Sequence, residues 1–239
     1  MSNSRLSLTR ALVVRGVRKR LGSRFAVDGV DLEVRAGEVI GLLGANGAGK
    51  TTLLHLLAGV LKPDEGTIEV AGASDPTNPT VRRALGFAPQ STSVYDELTA
   101  EENLAFFGRV HGMRGETLRT RVAYGLEFAG LGNRRRERVG TFSGGMKRRL
   151  HVATALVHAP EVLLLDEPTV GVDATSRAQL LRGIRGLGCA IVYASHHLDE
   201  VARVCDRAIV LSRGRVVAND RIDRIDLDLE SMLAAGGEA

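Results

Sequence analysis

One stretch, Gly44-Ala45-Asn46-Gly47-Ala48-Gly49-Lys50-Thr51-Thr52, constrains this chain more than any other. It fits the P-loop spacing Gly-x-x-x-x-Gly-Lys-[Ser/Thr], a pattern that cradles phosphates. Its flanks agree. The apolar run Val39-Ile40-Gly41-Leu42-Leu43 reads as a buried strand. Leu53, Leu54, Leu56 and Leu57 mark a helix from Thr51 to Ala58, with Gly59 at its C-terminal cap. In a strand, glycine-rich turn and helix, backbone N–H groups turn inward around a phosphate chain, and the helix N-terminus adds partial positive charge. Lys50 supplies a full charge to the β/γ-phosphates, and Thr51 offers a hydroxyl to Mg²⁺.

At 239 residues the chain suits one large domain, or one domain with an inserted subdomain. Apolar content of 44% and charged content of 25% are ordinary for a globular protein. The net charge of +4 suits an anionic ligand, a membrane surface or nucleic acid. Lys19, Lys50, Lys62 and Lys147 are the lysines among 32 basic residues, so the rest are arginines, scattered on both sides of apolar runs. Cys189 and Cys205 show neither metal-ligand spacing nor a disulfide framework. No run approaches the ~20 apolar residues that cross a bilayer. The polar stretch Met1 to Arg10 lacks the apolar core of a signal peptide. The expectation is a chain that neither spans a membrane nor leaves the cytosol on its own.

Leu12-Val13-Val14, Val30-Asp31-Leu32-Glu33-Val34 and Thr67-Ile68-Glu69-Val70-Ala71 read as strands around the P-loop unit, and Leu85-Gly86-Phe87-Ala88 as a short one ending at Pro89-Gln90. From Leu98 to about Gly140 the texture is helical. Thr99 and Glu102 form a capping box ahead of Leu104, Phe106, Phe107 and Val110, and a second helix covers about Glu116 to Ala129. The run Arg134-Arg135-Arg136-Glu137-Arg138 reads as a solvated face. Too few aromatics interleave with it for a nucleic-acid surface, so no nucleic-acid partner is expected. Ser143 caps a further helix, with Leu150, Val152, Ala153, Leu156 and Val157 on its apolar face. Gly144 and Gly145 in its first turn cost about 1 kcal/mol each against Ala. They make sense where N–H groups must closely approach a phosphate.

Val162-Leu163-Leu164-Leu165 is a buried-strand run ending in Asp166 and Glu167. Parallel strands deliver such residues to the edge where open α/β sheets bind ligands. Asp166 fits the Mg²⁺-side carboxylate beside a P-loop, and Glu167 can polarise the attacking water. A helix about Ala174 to Arg185 leads to the strand Ala190-Ile191-Val192-Tyr193-Ala194, which ends in Ser195-His196-His197, and one of these histidines is placed to donate to a γ-phosphate. Ala208–Leu211 and Val216–Ala218 read as a hairpin around Arg213-Gly214, followed from Asn219 by a charged amphipathic tail ending in Ala234-Ala235-Gly236-Gly237.

In this order the motifs resemble those of ATP-binding-cassette (ABC) nucleotide-binding domains over almost the whole chain. Gly44–Thr52 is similar to the family's Walker A, and Ser143-Gly144-Gly145 to the core of the signature Leu-Ser-Gly-Gly-Gln. Asp166 and Glu167 resemble the Walker B aspartate and catalytic glutamate, Asp173 the D-loop aspartate and His196 the switch histidine. Gln90 resembles the Q-loop glutamine, which in the family reaches Mg²⁺ and water. The edges of the signature, Phe142 and Met146, and the segment Tyr95–Leu104 resemble the subgroup serving drug, antibiotic and other ABC-2-type exporters. Where the family stacks adenine on an aromatic, the best-aligned residue is Leu21, with Phe25 as a possible substitute.

The resemblance implies an α/β fold: a P-loop NTPase core, mainly parallel sheet with helices on both faces, an N-terminal antiparallel β layer and an inserted α-helical subdomain. It implies a single ABC ATPase domain over 1–239, with 1–90 and 160–239 as core and about 91–159 as helical subdomain. The implied function is the ATP-binding, ATP-hydrolysing, Mg²⁺-dependent subunit of an exporter. Two cassettes would pack head to tail, each ATP lying between Lys50 of one chain and Ser143-Gly144-Gly145 of the other. The partner would be a separate transmembrane permease, which places the chain in the cytoplasm, peripheral on the inner membrane face. The alternative is a soluble ABC ATPase acting on nucleic acid or the ribosome. Such relatives usually carry two cassettes or a long insertion, and neither is present. No Asn/Thr-Lys-x-Asp guanine-reading sequence occurs.

Overall fold

A computed structural model describes residues 9–225. Its strands are β1 (Arg10–Leu21), β2 (Arg24–Arg35), β3 (Val39–Leu43), β4 (Glu65–Val70), β5 (Ala73–Ser74), β6 (Leu85–Ala88), β7 (Val162–Asp166), β8 (Ala190–Ser195), β9 (Arg207–Ser212) and β10 (Arg215–Arg221). Its helices are α1 (Lys50–Leu57), α2 (Pro79–Arg82), α3 (Ala100–Val110), α4 (Gly115–Ala129), α5 (Gly144–Leu156), α6 (Ala174–Arg185) and α7 (Leu198–Val204). Among the described residues no helix is long and apolar enough to cross a membrane.

Two sheets organise the described residues. One is antiparallel, in the order β2-β1-β4-β5. The other has the order β10-β9-β3-β8-β7-β6. Its strands β9, β3, β8, β7 and β6 run parallel, and β10 closes it antiparallel as a hairpin with β9. Every residue of β3, β7 and β8 is buried, because helices or strands cover both faces. Alternation divides those residues between two cores. Ile40, Leu42, Val162, Leu164 and Val192 join α1 and the antiparallel sheet, whereas Leu43, Leu163, Leu165, Ile191 and Tyr193 join α5, α6 and α7. Gly41 is needed where α7 crosses β3, since a Cβ there would lie 2.2 Å from a Val201 methyl. A third core, with Leu104, Leu126, Val139 and Leu150, ties α3 and α4 to α5.

Most element expectations hold, including the capping box, in which Glu102 N–H donates to Thr99 Oγ1 and Thr99 N–H to Glu102 Oε2. β1 and β2 run well beyond the short segments expected. Gly16 and Gly29 take positive φ and the β1–β2 register shifts at several points, so the two-residue alternation that marks a strand is interrupted. α2 and α7 were not expected. α2 is a single turn with Asn78 as N-cap and Pro79 opening it. The tail begins later than expected: Asn219–Arg221 pair with β9, and Ile222–Arg224 form one 3₁₀ turn. The rest of the tail, Ala234-Ala235-Gly236-Gly237 included, lies outside the described residues, as does most of the Met1–Arg10 stretch.

Candidate functional site

Sheet register brings the candidate residues to one edge. Leu43 pairs with Ser195, Asp166 with Ala194, and Ala88 with Leu165. The next residues of the four strands, Gly44, Glu167, His196 and Pro89-Gln90, therefore leave the sheet side by side at its C-terminal edge.

The P-loop glycines are demanded by close approach. A Cβ on Gly49, whose φ is +108°, would fall 2.2 Å from the Ala26 carbonyl oxygen, and one on Gly44 would fall 2.7 Å from that of Leu211. Gly47, at φ +80°, has nothing within 4 Å, so its positive φ alone calls for glycine. α1 starts with no side-chain cap and no acidic residue in its first turn, which leaves its N-terminal N–H groups and their partial charge to an anion. Buried Lys50 donates from Nζ to Gly44 O at 2.6 Å and Ala45 O at 3.3 Å.

Lys50 Nζ also lies 3.6 Å from Glu167 Oε1, which is 2.9 Å from His196 Nδ1. Glu167 holds φ +48°, a left-handed conformation that non-glycine residues adopt only under constraint. Its N–H donates to Ala194 O at 3.0 Å, locking the end of β7 to β8. His197 lies beside His196, ring centroids 3.9 Å apart.

Both carboxylate oxygens of fully buried Asp166 lack a hydrogen-bond partner. Burial pushes its pKa up and neighbouring Glu167 adds to that, while the Thr51 hydroxyl and the Lys50 charge pull it back. A buried carboxylate with free lone pairs beside a hydroxyl is a donor set that fits a hard divalent cation. Among the described residues no three His, Cys, Asp or Glu side chains cluster to hold a metal. An ion at Asp166 would thus draw further ligands from phosphate oxygens. Gln90 is exposed, and it is its main-chain carbonyl that is engaged, by Arg148 Nη1 at 2.7 Å.

The start of α5 forms a separate group. Ser143 accepts the Met146 N–H at 3.3 Å as N-cap, as its position suggested. Packing accounts for Gly145: a Cβ there would sit 2.7 Å from Ser176 Oγ and 3.0 Å from Asp173 Oδ2. It does not account for exposed Gly144, whose nearest neighbour would be Gly171 O at 3.8 Å. Asp173 caps α6, accepting the Ser176 N–H at 2.9 Å. No hydrogen bond among the described residues joins Ser143 to the P-loop.

Leu21 and Phe25 stand at the exposed tip of the β1–β2 hairpin, and Ala26, next to Phe25, abuts Gly49. The Arg20 guanidinium covers the Phe25 ring at 4.6 Å. In the arginine run two of the four arginines form ion pairs: Arg134 with Glu137 at 2.6 Å and Arg135 with Glu101 at 2.5 Å. Tyr95, Phe106 and Phe107 meet edge to face, Tyr95 and Phe106 are exposed, and Phe107 with exposed Val110 lines a groove that includes Val60, Phe87 and His111.

The burial of three charged residues escaped the sequence reading. Arg148 and Arg149 lie on α5, where arginines usually signal solvent. Arg149 donates to Ala129 O at 2.8 Å and to Ser176 Oγ at 2.5 Å. Glu200, in the first turn of α7, looks in sequence like an ordinary dipole-complementing acid but is buried.

The ABC transporter family profile matches residues 27–170. The linearmycin resistance ATP-binding protein LnrL of Bacillus subtilis (strain 168) is 38% identical over 211 residues, 87% of this chain and 68% of that one. The Nod factor export ATP-binding protein I of Burkholderia orbicola (strain AU 1054) is 44% identical over 208 residues, 85% of this chain and 68% of that one. A dimeric ATP-binding cassette solved in a post-hydrolysis state with ADP and Pi superposes with a TM-score of 0.79 at 25% identity, covering 88% of this chain and 98% of the other. With a P-loop, an acidic strand end and a histidine strand end on one parallel-sheet edge, and relatives of this identity and coverage, the chain belongs to the ABC transporter family.

Proposed function

We propose that this chain is the ATP-binding and ATP-hydrolysing subunit of an ABC exporter that energises a separate membrane permease from the cytoplasmic face. The observation that carries the reading is the convergence of Lys50, Glu167 and His196, with 3.6 Å and 2.9 Å between their polar atoms, at the mouth of the P-loop. In this reading Gly44–Thr52 wrap the phosphates with main-chain N–H groups, and Lys50 turns from Gly44 O and Ala45 O to the β/γ-phosphates. Glu167 holds the attacking water, and His196 keeps the Glu167 carboxylate in place while facing the γ-phosphate. Mg²⁺, which Thr51, Asp166 and Gln90 would hold, neutralises charge on the phosphates when bound.

Among the described residues Ser143 makes no hydrogen bond to its own P-loop, and Gly144 has a smallness that packing does not require. Both facts support a second chain's nucleotide as their target, with Asp173 beside the same interface. The apolar groove near Phe107 and Val110 supports docking of the permease on the helical part, residues about 91–159. Names of the relatives support export over the non-transport alternative. Steady-state ATP turnover and nucleotide binding test the site. Glu167→Gln keeps ATP binding and loses turnover, and Lys50→Ala loses binding. A Glu167→Gln protein with near-normal turnover removes Glu167 from the mechanism.

A further inference from the structure

Glu200 is 1% exposed, in a short helix outside every motif above. Its Oε2 accepts from Thr169 Oγ1 at 2.6 Å, from Tyr193 OH at 2.9 Å and from Ser195 Oγ at 3.5 Å. Its Oε1 faces Arg177 Nε of α6 at 3.4 Å. A buried carboxylate is costly unless donors surround it, and these donors come from separate segments. Thr169 lies two residues after Glu167, inside the turn in which Val170 N–H donates to Glu167 O at 3.3 Å. Ser195 immediately precedes His196, and its Oγ also takes the His197 N–H at 3.0 Å. One carboxylate oxygen therefore fastens both segments from which the Glu167–His196 pair projects. Through Arg177 it reaches the helix that Asp173 caps.

Resting on the proposed function of Glu167 and His196, we infer that Glu200 is a positioning residue for that pair. Glu167 holds a left-handed backbone that it would not keep unaided, and the clamp on Thr169 supplies the constraint two residues away. The clamp on Ser195 sets where His196 leaves β8. Glu200 hydrogen-bonds neither Glu167 nor His196 among the described residues, so it acts only through the segments that carry them. Glu200→Gln keeps the shape and one acceptor oxygen, but turns an amide donor toward either Arg177 or the three hydroxyls.

A double-mutant cycle under single-turnover conditions decides the matter. Glu200→Gln is expected to slow ATP cleavage at least tenfold while leaving the ATP dissociation constant within about threefold. In a His196→Ala background the same substitution is expected to change the rate less than twofold, because the geometry it protects is already gone. An equal fold-loss in both backgrounds, or an unchanged rate in the single variant, overturns the inference. If Glu200→Gln does not fold, Thr169→Val reads the same coupling, with the same expected and overturning results. The failure of the underlying reading looks different: His196→Ala and Glu167→Gln would themselves keep near-normal rates, and the role of Glu200 would fall with them.

Discussion

The guanidinium of Arg148 donates to the main-chain carbonyl of Gln90 at 2.7 Å and to that of Val170 at 3.4 Å, joining α5 to the segment after β6 and to the turn after β7. Burial lowers the Arg148 pKa, and the charge of Asp166 partly restores it. The side chain is thus a buried strut between the helical part and two strand ends. Arg148→Ala leaves both carbonyls without their donor and should cost about 2–3 kcal/mol. Arg148→Lys should recover less than half, because one ammonium does not reproduce the planar fork. Urea unfolding of the three proteins measures both values.

Closure between chains can be separated from nucleotide binding. Glu167→Gln should run as a dimer in Mg-ATP and as a monomer without nucleotide. Adding Ser143→Arg puts a bulky side chain where exposed Ser143 and Gly144 would meet the partner's γ-phosphate. The double variant should stay monomeric yet bind ATP. Light scattering after gel filtration, with a binding assay, reads both properties, and a double variant that still dimerises removes the α5 start from the interface.

Base selectivity should be weak. Leu21 offers no ring, and Arg20 already covers the Phe25 ring. Discrimination of ATP from GTP should stay within about tenfold, or ~1.4 kcal/mol. Phe25→Ala should change the affinity for either nucleotide by less than about threefold, because the Arg20 guanidinium already lies over that ring. Competition binding checks this, and a hundredfold preference for ATP would point to another group reading adenine.

Acid should destabilise the fold through two histidines. His151 accepts the Ser93 N–H on Nδ1 at 3.2 Å, so its Nε2 is the protonated nitrogen facing Pro89 O at 3.1 Å, and the ring is neutral. Burial lowers its pKa to about 4. Burial first, then the stacked His111 ring 3.6 Å away, lower His158 to about 4 as well. Unfolded, both titrate near 6.5. Between about pH 4 and 6.5 the unfolded chain binds more protons, so stability rises with pH across that window. It is complete above about 6.5 and lost as pH falls toward 4, by on the order of 3 kcal/mol per histidine. Urea midpoints from pH 7.5 to 5 should fall, and His151→Gln and His158→Gln should each flatten the slope.

Much of this was legible because parallel strands are buried on both faces and end abruptly. The runs at Val39, Val162 and Ala190 announce themselves as apolar blocks, and whatever polar residue follows must lie on the ligand edge. That pattern alone puts Gly44, Glu167 and His196 at one edge. Arg148 and Glu200 stayed hidden for the opposite reason. Each sits at a helical position where a charge ordinarily meets water, and only the packing of α5 and α7 onto the sheet turns them inward. Gly145 carries a second constraint that stayed hidden too: it is held small by Ser176 of its own chain, a cross-helix contact that no local pattern encodes.

The strand order has a consequence for how copies can meet. One border of the large sheet is β6, four residues long and followed by Pro89; the other is β10, which ends in exposed Asn219, Asp220 and Arg221. Short length, proline and charge all discourage a neighbour's strand from adding to a border. Strand addition at these two borders is therefore disfavoured, which leaves loops and helix starts as the surfaces of this sheet open to a second copy. Such contacts can release, whereas a fused sheet would persist. The borders of the sheet thus guard against aggregation and keep any pairing reversible.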